Sequence, residues 1–187
     1  PLPRNDLPGA WRVTDLLGME TRGMNEDDIG EIEDLLLTPS GRVEGVIIEG
    51  GGIFDIGDTH FRMDWHELDF TPGLEWVKIP MTEETVQGLA DPLMDWDERL
   101  TLWTWRATEL LDSTVHLKDA PGYGIVTDLI IEDSQARAVL VAPKNGEAVK
   151  VFPYGEYDPM MEGDYELPYG RDAAGRLEEF IGDDPGR

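Results

Sequence analysis

A mainly β fold, arranged as two tandem copies of one small strand-rich unit, is predicted by three observations. The chain aligns with itself at an offset of 94 residues, apolar residues alternate with polar ones at the period of a strand, and Gly, Pro, Asn and Asp cluster between those stretches where tight turns are needed. At that offset Trp11-Arg12 meets Trp105-Arg106, Thr14-Asp15-Leu16-Leu17 meets Thr108-Glu109-Leu110-Leu111, Gly30 meets Gly124, and Asp34-Leu35-Leu36-Leu37 meets Asp128-Leu129-Ile130-Ile131. Farther on the offset shrinks to 88 or 89 residues, where Met63, Trp65, Glu67 and Asp69 face Val151, Tyr154, Glu156 and Asp158. The expected units are 11–90 and 105–181, with 91–104 as a tryptophan-containing packed linker and with 1–10 and 182–187 as extended termini.

Each element has a local reason. Pro1 to Ala10 carries three prolines and reads as an extended lead-in to the apolar cluster Trp11, Val13, Leu16 and Leu17. Asn25 to Asp28 is a turn whose side chains can accept backbone N–H bonds. Ile29–Leu37 and Arg42–Glu49 flank Thr38-Pro39-Ser40-Gly41, a hairpin signature, and Gly50-Gly51-Gly52 marks a sharp turn or bulge before Ile53–Ile56. Thr59–Trp65 and Leu74–Met81 are further strands, and Thr82 is placed to cap a short helix reaching Leu89. The second copy repeats the order with strands at Val115–Lys118, Gly124–Ile131, Ala136–Ala142, Ala148–Phe152 and Tyr165–Pro168, closed by a helix over Asp172–Ile181.

Composition narrows the functions. At 187 residues with 40 acidic against 15 basic residues, the formal charge is -25. Such a field repels nucleic-acid phosphates and anionic lipid surfaces; it serves solubility in a saline medium or attracts a basic partner. There is no cysteine, hence no disulfide, thiolate nucleophile or cysteine metal site. The most apolar stretches fall short of the ~18 residues of a membrane span. A start at Pro1 rather than Met keeps export open, so the expected compartment is cytoplasmic or periplasmic.

The stretches Leu16-Leu17-Gly18, Asp28-Ile29-Gly30-Glu31-Ile32-Glu33-Asp34-Leu35-Leu36-Leu37 and Gly41-Arg42-Val43-Glu44-Gly45-Val46-Ile47-Ile48 resemble the PRC-barrel family, named from the soluble part of the photosynthetic reaction centre H subunit. Gly57-Asp58 and Phe61 to Leu68 resemble the family's closing strand, with Met63-Asp64-Trp65 in place of its valine-proline-tryptophan. In the second copy Gly124 to Ile131 keeps the core motif and Val151-Phe152-Pro153-Tyr154 keeps the proline, while Asp112 replaces the glycine found at Gly18. The resemblance implies two tandem, small, strongly bent antiparallel β-barrels, each followed by a short helix or irregular segment. It also implies an accessory role in a larger assembly. Gly30 and Gly124 are expected where a side chain would hinder curvature or close backbone passage, and Asp34 and Asp128 where a carboxylate anchors a turn or backbone amide at the barrel end.

No catalytic pattern is legible. His60, His66 and His116 are not spaced as a metal set, the acidic run from Asn25 to Glu31 lacks the order of a calcium loop, and Ser40, Ser113 and Ser134 lack a nucleophile elbow. The expectation is a cofactor-free, metal-free, non-catalytic protein-binding or assembly module that joins a protein partner or another copy of itself, docking to a membrane complex included. Trp65, Trp76, Trp96, Trp103 and Trp105 are the candidate interface residues. The alternatives are a small-molecule or divalent-cation binder, or a hydrolase with an unrecognised carboxylate site.

Overall fold

The computed structural model describes residues 9–50, 59–71, 75–89, 104–158, 161 and 163–181. Gly51 and Gly52 of the triple-glycine corner, the strand expected at Ile53–Ile56, and Trp96 and Trp103 of the connector lie outside them.

In chain order the elements begin with β1 (Ala10–Arg12), the helical turn α1 (Val13–Leu16), β2 (Glu20–Arg22), β3 (Asp28–Leu37), β4 (Val43–Gly50), β5 (Thr59–Met63), β6 (Trp76–Lys78) and helix α2 (Glu83–Leu89). They continue with β7 (Trp105–Arg106), the helical turn α3 (Ala107–Leu110), β8 (Thr114–Leu117), β9 (Ala120–Glu132), β10 (Gln135–Pro143), β11 (Lys150–Pro153), β12 (Asp164–Leu167) and the helical turn α4 (Arg171–Ala174). The protein is mainly β, with two six-stranded sheets. One runs β5-β4-β3-β2-β6 and the other β11-β10-β9-β8-β12, the same order built from elements in the same sequence. Each contains one parallel pair, β2 with β6 and β8 with β12, where the reading from sequence had all pairs antiparallel. A long connection returns the chain to the far side of β2 or β8, and that path delivers the strand in parallel.

Strong curvature is built into the central hairpins. In β3 and β4 the register shifts between Ile32 and Asp34 and again between Leu36 and Leu37; in β9 and β10 it shifts near Ala136 and Leu140. Bulges of this kind bend a strand and raise its twist. At Gly30 (φ 153) an added Cβ would overlap the Glu49 carbonyl oxygen, and at Gly124 it would overlap that of Ala142. Beyond β5 the chain turns through a 3-10 segment, Trp65–Glu67, capped by the Asp64 carboxylate. Asp69 and Lys78 then exchange backbone hydrogen bonds of 2.9 and 3.1 Å, bringing the far side of the curl against β6.

The sheets share one core. Ile32, Leu35, Val46, Ile48 and Val77 of the first and Val115, Val126, Leu129, Val139 and Phe152 of the second fall in a single buried cluster, joined by Val13, Leu16, Ala107 and Leu110 from α1 and α3. A small unit of about 75 to 80 residues buries only a modest share of its surface, and a common core adds burial that neither unit has alone.

Two local expectations change. The closing helix expected over Asp172–Ile181 stops at Ala174, with the Gly175 amide bonding back to the Arg171 carbonyl. The chain beyond it runs along the edge of β11, where Val151 N donates to the Glu178 carbonyl and Phe180 N to that of Val149. A strand edge supplies backbone partners that a fraying helix end would lack. The Trp11 to Leu17 stretch, read as an apolar cluster, is a strand plus a helical turn.

Candidate functional site

The units are held together by a reciprocal exchange. β1 pairs not with the sheet that follows it but with β9, Trp11 opposite Ile131 and Arg12 opposite Ile130. β7 in turn pairs with β3, Trp105 opposite Leu37 and Arg106 opposite Leu36. All four positions repeat at the 94-residue offset, so the exchange has a local two-fold character.

A buried carboxylate anchors each exchanged segment. Asp128, fully buried, accepts from Leu129 N at 2.8 Å, Thr14 N at 3.1 Å, Thr14 Oγ1 at 2.5 Å and Arg12 Nε at 2.7 Å. Asp34 accepts from Leu35 N at 2.8 Å, Thr108 N at 3.3 Å and Thr108 Oγ1 at 2.5 Å, and the charge of Arg106 attracts it as well. Loss of water raises the Asp34 carboxyl from 3.8 to about 6, against the opposing pull of Thr108, the Leu35 amide and Arg106. Each carboxylate holds the amide of its own strand and the first turn of the helix contributed by the other unit, where an anion is favoured by free N–H groups.

The hairpin tips meet across the same junction. Val43 N donates to the Ser134 carbonyl at 2.8 Å, Ala136 N to that of Gly41 at 2.7 Å, and Gln135 Nε2 to that of Ser40 at 2.8 Å. Trp105 Nε1 donates to the Thr38 carbonyl at 3.0 Å and the Tyr154 hydroxyl to that of Pro39 at 2.9 Å. The Trp105 ring lies 4.5 Å from that of Tyr157; Trp11 and Trp65 both pack on Phe70, at 5.2 and 4.6 Å. Burial pushes the hydroxyls of Tyr154 and Tyr165 far up, so they stay neutral donors. Trp65 and Trp105 are thus buried within the molecule, and Trp105 is engaged in cross-unit contact. Trp76 is half-exposed, its ring 5.1 Å from the Arg22 guanidinium.

The outward faces of the two sheets differ. Across the first sheet one row of directly opposed residues reads His60, Glu49, Glu31, Glu20, Trp76. Opposed residues point to the same side, and the next row, Phe61, Ile48 and Ile32, is buried, which turns the glutamates outward. Arg22 Nε lies 2.6 Å from Glu20, and His60 Nε2 lies 3.0 Å from Glu33. The corresponding row of the second sheet reads Ala142, Ile125, Thr114, Asp164. Among the described residues no three His, Asp or Glu side chains converge where they could hold a metal ion, and no described helix is long and apolar enough to cross a membrane.

Two curled sheets built on the Gly30 and Asp34 motif are now joined by an independent finding, since residues 8–86 match the family model described as PRC-barrel domain. The first unit is a PRC-barrel domain. The match begins just before β1 and ends within α2, so the segment exchanged onto β9 belongs to the PRC-barrel domain by sequence and to its neighbour by pairing. No curated protein matches the chain. A PRC-barrel domain is generally a non-catalytic module, compatible with a structural or assembly role. The sequence pointed to Asp34 and Asp128 as anchors of backbone amides. It missed Arg12, Thr14 and Thr108 as their partners, although all three sit in the 94-residue register beside the invariant spacing to the aspartates.

Proposed function

We propose that this chain is a non-catalytic assembly module in which two PRC-type barrels, the second a diverged copy of the first, form one rigid body that presents an acidic sheet face to a basic protein partner. The row Glu20, Glu31 and Glu49 carries the reading. Like charges directly opposed on adjacent strands destabilise a sheet; Arg22 already pairs with Glu20, and the opposed Glu31 and Glu49 are a cost that a cationic partner would relieve. Such a face also speeds encounter with a positively charged surface. Trp76, half-exposed at one end of the row, offers the flat contact that interfaces favour. The equal strand order of the two sheets and the register of their motifs support the duplicated unit.

The test is capture of partners from the native source by the wild-type chain and by E31Q/E49Q, which leaves the Arg22–Glu20 pair in place. The variant should be more stable, by roughly 0.5–1 kcal/mol for the relieved repulsion, and should lose the basic partner. Equal capture by both chains, or turnover in a substrate screen, overturns the reading.

A further inference from the structure

The exchanged segments do not depend on which molecule supplies them. Trp11-Arg12-x-Thr14 and Trp105-Arg106-x-Thr108 have the same residue types at the same spacing, and each seats on an equivalent acceptor, a β strand edge beside a buried aspartate. The acceptor reads a carboxylate's donors and a strand register; it contains nothing that reports on connection through the backbone. Resting on the assembly reading above, we propose that two copies of this chain trade units, giving a dimer in which the first unit of each copy seats on the second unit of the other through these same segments.

Topology permits the trade. The only covalent link between α2 and β7 is residues 90–103, which fully extended would reach about 50 Å, enough for the units of one chain to belong to two pairs. Burial dictates which species persist. Val13, Leu16, Ala107 and Leu110 are fully buried in the shared core, so an opened chain exposes apolar surface and only closed monomer and closed dimer are stable. Their contacts are the same, and the balance is set by concentration. The covalent link holds the partner unit at an effective concentration on the order of millimolar. Monomer therefore dominates in dilute solution, and dimer forms when chains refold together near that concentration. With -25 on each chain, added salt shifts the balance toward dimer.

The absence of cysteine makes a clean reporter available. Ala10 and Glu132 are opposed across β1 and β9, and Arg42 and Gln135 form a bridge between the hairpin tips of the two units. A10C/E132C and, independently, R42C/Q135C are refolded from denaturant at micromolar and near-millimolar concentration, oxidised, and separated by size with light scattering. Dilute refolding is expected to give a monomer whose disulfide closes within the chain. Concentrated refolding should add a species of twice the mass that remains a covalent dimer without reductant. Only monomer at every concentration, or a dimer that neither cysteine pair holds together covalently, overturns the exchange. Capture of a basic partner by the wild-type chain would stand apart from that result, so the two proposals fail separately.

Discussion

Asp128 and Asp34 occupy corresponding positions in the two sheets and grip corresponding segments, but Asp128 has no exposed surface while Asp34 keeps 5% of its own. Arg12 Nε lies 2.7 Å from the Asp128 carboxylate, and the charge of Arg106 attracts that of Asp34. The same three backbone and hydroxyl donors serve both aspartates. One set of donors therefore holds a buried carboxylate twice within one fold, Asp128 on β9 and Asp34 on β3. In the second, the desolvation penalty emerges as the raised carboxyl of Asp34.

The largest effect should come from removing the guanidinium that touches Asp128. Arg12→Ala leaves a fully buried carboxylate without its cation and should cost about 3–5 kcal/mol in denaturant unfolding. Arg106→Ala removes an attraction to Asp34, which keeps some exposed surface, and should cost less by the same measurement. Equal losses would erase the distinction.

The hydroxyl donors sharpen it next. Thr14→Val and Thr108→Val each delete one short hydrogen bond to a buried carboxylate, worth about 1–3 kcal/mol. Since each hydroxyl donates at 2.5 Å to a buried carboxylate, the two losses should be of similar size by the same measurement.

The smallest effect is the pH response. The Asp34 carboxyl is about 6 in the folded protein against 3.8 for the ordinary group, so folding takes up a proton between those values. The contribution of this group to stability is fully present below pH ~4 and is lost as pH rises through about 6. Relative to Asp34→Asn, which cannot titrate, the wild-type melting temperature should rise on going from pH 7 to pH 5. The comparison with the variant removes the general relief of acidic repulsion, which both chains share. A parallel response of the two chains would show that Asp34 does not titrate in this range.

Much of this was legible in the residues. The 94-residue register located both sheets, the two aspartates and the two glycines, because backbone crowding at Gly30 and Gly124 demands the residue type wherever it occurs. Even the departure at Asp112 is local physics. It stands at the position of Gly18 and adopts the same left-handed backbone, φ 65 against 76, a conformation aspartate tolerates. The partner of the Trp-Arg-x-Thr segment was not legible. Periodicity and residue type say that a segment is a strand with a polar anchor, but docking on its own unit or on the sister unit satisfies the same donors, and only the path of the chain separates them. Trp65 and Trp105, two of the five tryptophans expected at an interface, are buried in the fold for a related reason. A buried cross-unit contact and a surface for another protein call for the same aromatic residue, and Trp105 serves the first.

Residue-resolved amide exchange on Arg12→Ala tests the reciprocal joining of the two units most directly. If the exchange welds them into one cooperative body, the substitution should lower the opening free energy of Ile130 and Ile131 in β9 and, by the same amount, that of Leu36 and Leu37 in β3 of the other sheet. Loss of protection confined to β9 and its neighbours, with β3 unchanged, would contradict it.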